Sequence, residues 1–333
     1  MAYTAIDNPE LYFQTKLFTG NGSTQSLTFD GDEDMQPDLL WFKQRDGTGN
    51  HAVFDSVRGT TGSVYRRLIT EGTDVEDTAA NTLTAIGSDG FSVGSDGNIN
   101  GDTETMVAWC WKESATAGFD ILIFDGNETN RTIAHSLSAV PHFMILKSRG
   151  GTSAWAVNHQ SIGTYGLHLN STEVAGAETT WWQSTLPTSS VFSVGTSYTV
   201  NDSGESVVAY LWTEKQGYSK FGSYTGNGNA DGPFCFTGFR PAFVLYKQSS
   251  GTEYWKMFDN KRNTFNPVDE GIAPNTSGAE DSGSGFNDID FLSNGFKHRA
   301  GDDRSNASGG TYIYMAFAEA PFVNSGGVPA NAR

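Results

Sequence analysis

The sequence predicts an all-β protein made of three tandem β-sandwich modules of jelly-roll type. Three observations support this: the composition, a set of short phrases that occurs three times, and the lack of any sustained helical periodicity. The 333 residues include 39 Gly, with 37% hydrophobic and 18% charged residues, which is typical of a foldable chain with many turns. A chain of this length usually forms two or three domains.

The first repeated phrase is aromatic-x-Gly-Asn, and it opens each copy. It occurs as Phe18-Thr-Gly20-Asn21, Phe124-Asp-Gly126-Asn127 and Tyr224-Thr-Gly226-Asn227. The second phrase is an apolar run between Pro and Lys, which occurs as PDLLWFK (Pro37 to Lys43), PHFMILK (Pro141 to Lys147) and PAFVLYK (Pro241 to Lys247). Such a run predicts a strand with both faces covered, with its Pro at the first position, where a missing N–H is tolerated.

A Gly-Thr pair follows each of these lysines and predicts a hairpin loop. Twelve residues past the lysines stand Asp55, His159 and Asp259. The third phrase comes later in each copy, as GFSVG, VFSVG and GFKHR, and is followed by Asn100, Asn201 and Asn306 and then by VAWCW, VAYLW and IYMAF. The alternating aromatic residues of these last strands are interpreted as core residues.

The spacing of the phrases predicts the domain boundaries. We expect a leader at 1–16, modules at 17–115, 116–217 and 218–322, and a tail at 323–333. The gaps between modules are short and polar, so the modules should pack against each other in a compact rod or arc. Copies one and three share an Asp-x-x-Arg pair and a later Glu-Asp pair that copy two lacks, so copy two is the divergent copy.

The charge and the motifs disfavour several functions. The net charge of −17 would repel nucleic acid, no apolar run is long enough to span a membrane, and the N-terminus lacks the pattern of a secretory signal. We therefore expect synthesis in the cytoplasm. The His and Cys spacing predicts no metal site, and no nucleophile or nucleotide motif occurs, so neither enzymatic activity nor a cofactor is predicted. Paired carboxylates remain possible, because they need no fixed spacing. Cys110 and Cys235 are predicted to be unpaired buried thiols.

A few residues are candidates for binding or assembly. The segment from Asp96 to Gly101 imitates half of a calcium loop, but Val107 stands where a Glu ligand is needed, so a turn capped by Asx side chains is the preferred interpretation. Trp181 and Trp182 could stack on a sugar or line an interface, although packing onto their own sheet is the simpler interpretation. Leu11, Tyr12 and Phe13 are candidates for an assembly interface, because an apolar terminal segment must bury against something.

Several long phrases resemble a known group of proteins. PELYFQTKLFTGNGSTQSLTF, VFDSVRG, DGFSVG, MVAWCWK and NASGGTYIYMAFAEAPFVN are similar to repeats of tail-fibre-like structural proteins encoded by marine tailed bacteriophages, and the similarity covers nearly all of residues 11 to 324. The resemblance implies concanavalin-like or SPRY-like sandwiches and a place in the virus particle. It supplies no catalytic residue.

The function expected from these observations is noncovalent binding at a virion surface. A tail-fibre or receptor-binding adhesin is the leading hypothesis, with a capsid decoration protein as the alternative and a polysaccharide-degrading tail enzyme as the second alternative. Tandem modules suit adhesion because repeated weak contacts give avidity. Expected partners are other virion proteins, a host glycan or protein, and copies of the chain itself, most simply in a homotrimer. Deleting residues 1–16 should then leave soluble modules that no longer join the particle.

Overall fold

The structure is a computed structural model, and it describes residues 3–281 and 288–331. Strands account for 41% of the chain and helices for 7%, and the paired strands of every sheet are antiparallel, so the prediction of an all-β fold of the sandwich class is confirmed. No helix in the described ranges is long and apolar enough to cross a membrane. The phrases of the sequence fall on equivalent strands in each copy.

Seven elements recur in the same order in each copy, and the remaining short elements differ between copies. Copy one contains a 3₁₀ turn (Pro9–Leu11) and β1 (Phe13–Thr19), β2 (Gln25–Leu27), β3 (Leu39–Gln44), β4 (Ala52–Asp55), β5 (Thr60–Thr61), β6 (Val64–Tyr65), β7 (Leu68–Ile69), β8 (Leu83–Ile86), β9 (Phe91–Val93), α1 (Gly97–Asn100) and β10 (Thr105–Trp111). Copy two contains β11 (Phe119–Asp125), β12 (Arg131–Ala134), β13 (Phe143–Ser148), β14 (Ala156–His159), a 3₁₀ turn (Gln160–Ile162), β15 (Leu167–His168), α2 (Thr179–Trp182), β16 (Val191–Val194), α3 (Tyr198–Asn201) and β17 (Ser206–Trp212). Copy three contains β18 (Ser219–Thr225), β19 (Phe234–Phe236), β20 (Phe239–Gln248), β21 (Lys256–Asp259), β22 (Ile289–Leu292), β23 (Gly295–His298), α4 (Asp303–Asn306) and β24 (Thr311–Pro321).

Each copy forms a large sheet and a small sheet. The large sheets have the strand orders β1-β10-β3-β4-β7, β11-β17-β13-β14-β15 and β18-β24-β20-β21. The small sheets have the orders β2-β9-β8, β12-β16 and β19-β23-β22. In every large sheet the last long strand of the copy pairs with both the first strand and the Pro-to-Lys strand.

The apolar strand between Pro and Lys is covered on both faces, as its sequence predicts. In β3, Leu40 and Phe42 belong to a core between the large and small sheets of copy one. Leu39 and Trp41 point the other way, because successive side chains of a strand alternate between faces, and they belong to a second core that all three copies share. Copies two and three have their own inter-sheet cores in the same place.

The shared core closes the three copies into a ring, so the expected rod or arc is wrong. Phe243 and Phe317 of copy three contact Trp111 of copy one at ring-centroid distances of 5.6 Å and 5.8 Å. Trp111 also contacts Trp212 of copy two at 6.4 Å. Copy three therefore packs on copy one as closely as the consecutive copies pack on each other, and a linear arrangement would expose these aromatic residues to water.

Two of the repeated phrases meet in space. In copy two the buried Asn201 side chain donates to Asn127 Oδ1 (3.2 Å), to the Thr129 carbonyl (2.8 Å) and to the Gly195 carbonyl (2.7 Å), and it accepts the Asn127 N–H (3.1 Å). Asn100 and Asn306 make the same bonds in the other copies. A Cβ added to Gly126 would lie 2.0 Å from the Asp202 carbonyl oxygen, which explains the Gly of the first phrase.

The repeated lysines have a structural role. Lys43, Lys147 and Lys247 are buried, and each ammonium donates to the carbonyl of the last residue of its strand and to a carbonyl of the hairpin loop that follows. Burial lowers the pKa of each of the three to about 8. The lysine thus fixes the loop by satisfying carbonyls that no strand partner reaches.

The expectation that each proline begins its strand is wrong. Pro37 and Pro141 lie two residues before β3 and β13. Pro241 lies inside β20, which begins at Phe239 because β24 is long enough to pair with it as far as Pro321. The register shifts on either side of Pro241, so a bulge accommodates the residue that has no N–H to donate.

The N-terminal segment is part of the fold and not a free attachment leader. Phe13 is 3% exposed and contacts Trp111 (5.0 Å), Phe243 (5.6 Å) and Phe317 (5.4 Å) between ring centroids, inside the shared core. Tyr12 lies edge-on to Tyr218 at 6.0 Å, and Leu11 is half-buried. The burial that was expected from another subunit is thus supplied by copies one and three of the same chain.

Replacing Asn201 by Ala should lower the free energy of unfolding by about 3 kcal/mol, because several buried partners lose their hydrogen bonds together. Urea unfolding followed by tryptophan fluorescence measures the change. The matched control is Asn130→Ala, which alters an exposed asparagine of the same copy. Equal stability of the two variants would contradict the role assigned to the asparagine pair.

Replacing Phe13 by Ala should cost about 3–5 kcal/mol, the usual effect of truncating a buried Phe. Removal of residues 1–16 should yield an unstable chain, in contrast to the soluble modules expected from the sequence, because β1 loses four of its seven residues. Thermal unfolding measures the stability of both variants. The control is Phe265→Ala, because Phe265 is 80% exposed. A deletion variant that melts like the parent would refute the placement of β1 in the core.

Candidate functional site

The ring contains three seams in which the backbone contacts are equivalent. At the seam of copies one and two, the Glu76 N–H donates to the Arg149 carbonyl (2.7 Å). At the seam of copies two and three, Ala175 donates to Ser249 (2.9 Å), and at the seam of copies three and one, Glu280 donates to Arg45 (2.7 Å). Because the main chain follows the same course at each seam, differences between the seams lie in the side chains.

A second set of contacts links each copy to the last strand of the next. Asp55 of copy one accepts the Tyr210 hydroxyl of copy two (2.7 Å), and Asp259 of copy three accepts the Trp109 indole N–H of copy one (2.9 Å). At the same position in copy two, His159 Nε2 bonds to the Tyr314 carbonyl of copy three (3.1 Å). The Ser161 N–H donates to Nδ1 of this histidine (3.0 Å), so the proton is placed on Nε2.

A buried network of charges fills two of the three seams. At the seam of copies one and two, Arg58 pairs with Asp55 and with Glu76 (3.2 Å), and Glu76 also pairs with Arg149 (2.8 Å) and Arg66 (2.9 Å). The corresponding residues at the seam of copies three and one are Arg262, Asp259, Glu280, Arg45 and Glu270. We call this arrangement the charged clamp.

The charged clamp keeps Glu76 ionised. Burial alone would raise the pKa of Glu76, but hydrogen bonding by Arg149 and the charges of Arg58 and Arg149 lower it.

The charged clamp is absent from the seam of copies two and three. The antiparallel bridges of Arg67 with Asp77, Gly166 with Gly176 and Gly271 with Asp281 align the copies residue by residue. In this alignment the five clamp positions are held by His159, Ile162, Tyr165, Ala175 and Ser249. The seam keeps its backbone contact but has lost every charged side chain of the network.

A sixth position differs at the same seam. Leu17 of β1 pairs with Val107, Ile123 of β11 pairs with Val208, and Ser223 of β18 pairs with Ile313, so these three residues are equivalent. Leu17 and Ile123 pack against the shared core. The serine leaves empty the space that an aliphatic side chain occupies in the other two copies.

The two differences together open a cleft of about 660 Å³ between copies two and three. This volume lies within the roughly 300–1,000 Å³ of typical small-molecule sites. We call it the seam cleft, and its lining comprises Ser161, Ile162, Tyr165, Ala175, Ser223, Tyr224, Thr225, Ser249, Thr311, Tyr312 and Ile313. The lining contains no charged residue.

Several hydroxyl groups of the seam cleft are available to a ligand. Ser223 and Thr225 are exposed on β18, Ser161 is exposed on the 3₁₀ turn, and no hydrogen bond joins their hydroxyls to any other part of the chain described by the structure. Tyr165 is 48% exposed, so part of its ring is open to solvent. By contrast, Ser249 and Thr311 bond to each other (3.1 Å). The arrangement can donate and accept hydrogen bonds and can cover an apolar surface.

The residues singled out in the sequence lie elsewhere. Trp181 and Trp182 are 4% and 2% exposed in the core of copy two, as the packing interpretation expected, and a sugar could not stack on them unless that core opened. The divergence of copy two was visible in the sequence, and it was the signal that could have located the seam cleft. Divergence alone does not reveal whether the substituted side chains pack against each other or leave a cavity.

The segment that imitates a calcium loop is used for capping. Asp96 accepts the Asn98 N–H (3.0 Å) at the start of α1, and the Asn100 side chain bonds to the chain itself. Within residues 3–281 and 288–331, no group of three or more His, Cys, Asp or Glu is placed to hold a metal ion. Cys110 and Cys235 lie in the separate cores of copies one and three.

A pair of carboxyl groups, Glu113 and Asp120, lies at the junction of copies one and two. Burial, together with the nearby carboxylates of Asp120 and Asp38, raises the pKa of Glu113 to about 7. The Ile121 N–H donates to Glu113 (3.1 Å), and the Ser136 N–H and hydroxyl donate to Asp120 (both 2.7 Å). These bonds hold the two carboxyl groups in place between the copies, and neither residue lines the seam cleft.

Comparison with known families assigns the chain to one of them. Residues 8–321 match the family described as a domain of unknown function, DUF7483, and the chain belongs to this family. The match is continuous across all three copies. No curated protein matches the chain.

Protonation of His159 should destabilise the fold in acid. Burial lowers its pKa from 6.5 to about 4, so between these values the unfolded chain binds a proton that the folded chain does not. The free energy of unfolding should therefore fall as the pH falls through this window, by about 1.4 kcal/mol per pH unit for this residue. His159→Gln should reduce the slope by that amount in urea titrations at pH 6.5, 5.5 and 4.5. Identical slopes for parent and variant would show that the histidine is not held neutral.

Proposed function

We propose that the chain is a non-enzymatic surface protein of a bacteriophage particle and acts as a tail-fibre or receptor-binding adhesin. The observation that carries the proposal is the seam cleft, an open uncharged cavity between two copies of an otherwise closed ring. The long phrases that resemble tail-fibre-like proteins support the location on the particle.

The rest of the ring supports a binding role because it holds the seam cleft in one shape. Both flanking sheets are anchored in the shared core, and the other two seams are locked by the charged clamp. A preformed site loses little conformational entropy when its ligand binds, which favours affinity. Several copies of the chain on one particle would multiply such contacts into avidity.

Two alternatives remain, and each makes a different prediction. A capsid decoration protein would share the surface location but would not contact the host. A polysaccharide-degrading tail enzyme would need a pair of carboxyl groups open to substrate, and the Glu113 and Asp120 pair is the arrangement in the described residues that would be tested first. A homotrimer also remains a prediction, which light scattering at micromolar concentration tests.

Antibodies against the recombinant chain should label intact particles of the phage that carries this sequence, and the label should lie on the tail in electron micrographs. The soluble protein should also slow adsorption of the phage to its host. Label on the capsid without an effect on adsorption would favour decoration, and release of reducing ends from host polysaccharide would favour the enzyme. Particles that remain unlabelled, while infected lysate reacts, would refute a place on the virion surface.

A further inference from the structure

We propose that the seam cleft binds a neutral saccharide. This inference rests on the proposed binding function and specifies the chemical class of its ligand. Three properties of the cleft lead to it: the charge of its lining, the kind of polar group it presents, and the exposed ring of Tyr165.

The uncharged lining disfavours charged ligands. The chain as a whole carries −17, and an anionic ligand would approach against that charge without finding a cation in the cleft. A cationic ligand would need a carboxylate to replace its lost hydration, and the lining holds none. An uncharged ligand meets neither cost.

The polar groups of the lining match hydroxyl groups. Ser161, Ser223 and Thr225 each carry a hydroxyl that can donate one hydrogen bond and accept others, and each hydroxyl can rotate to suit its partner. Saccharide hydroxyls also both donate and accept. The hydroxyls of Ser223 and Thr225 on β18, together with that of Ser161 on the 3₁₀ turn, can therefore satisfy a ligand without presenting a fixed charge.

Tyr165 supplies the apolar component of the site. The residue is 48% exposed, and Ile162 and Ala175 lie in the same lining. The C–H face of a pyranose ring is apolar, so it can pack on an aromatic ring while its hydroxyls point towards the rim. In the other two seams the equivalent residues are Arg66 and Glu270, which are engaged in the charged clamp and offer no such surface.

Titration calorimetry with four neutral trisaccharides tests the inference: maltotriose, mannotriose, galactotriose and N,N′,N″-triacetylchitotriose, with trigalacturonate as the anionic counterpart. At least one neutral sugar should bind to the full chain, with trigalacturonate at least about tenfold weaker. Tyr165→Ala should weaken that binding by about tenfold or more. Tyr198→Ala is the control, because it removes a tyrosine of copy two that is 56% exposed but lies outside the seam cleft.

A second variant separates loss of the site from loss of the fold. Ala175→Glu combined with Ser249→Arg places at this seam the pair that Glu76 and Arg149 form at the seam of copies one and two. The new side chains should occupy the seam cleft and abolish binding, while the melting temperature stays equal to that of the parent or rises.

The inference is overturned if no neutral trisaccharide binds, if trigalacturonate binds as well as they do, or if binding survives in the double variant. The saccharide inference and the proposed function can fail separately. Saccharide binding by a protein that is absent from the particle would leave the ligand class intact and remove the virion role. If the particles are labelled but the protein binds none of the four sugars, the virion role is kept and the saccharide ligand is ruled out.

Discussion

Each large sheet is apolar on both faces, and the whole structure depends on covering the second face. The small sheet of a copy covers one face, around Leu40 and Phe42 in copy one. The other face, with Leu39 and Trp41, has no cover within its own copy, and only the large sheets of the other two copies can bury it. The ring is therefore the unit in which the second face of every large sheet is buried.

Much of the fold could be predicted from the repeats. The spacing of the three phrases located the strands, and the run from Pro37 to Lys43 indicated a doubly covered strand, because these features are local in sequence. The ring could not be predicted, since a bond such as that between Trp109 and Asp259 joins distant copies and leaves no mark in spacing. The same reason explains why Phe13 was expected at an interface with another subunit. Its apolar character was evident in the sequence, but its partners in copies one and three were not.

The candidate site shows how a symmetric scaffold acquires one distinct place. The backbone bond of Ala175 to Ser249 repeats that of Glu76 to Arg149, so substitution of side chains was sufficient to open the seam. The two seams that keep the charged clamp are sensitive to the loss of Arg58 or Arg262, because the buried carboxylate of Asp55 or Asp259 would then lose its ion-pair partner. Loss of the entire set, as in copy two, leaves no such charge behind.

Closure of the ring also constrains how such a protein can change over generations. In an open solenoid, a repeat can be gained or lost by recombination, because each unit contacts only its neighbours. Here copy three packs against copy one, with Phe317 contacting Phe13 and Trp111, and a fourth copy inserted between them would separate these rings. We expect the number of copies to be fixed, so new specificities would arise by divergence within the copies and not by adding to them.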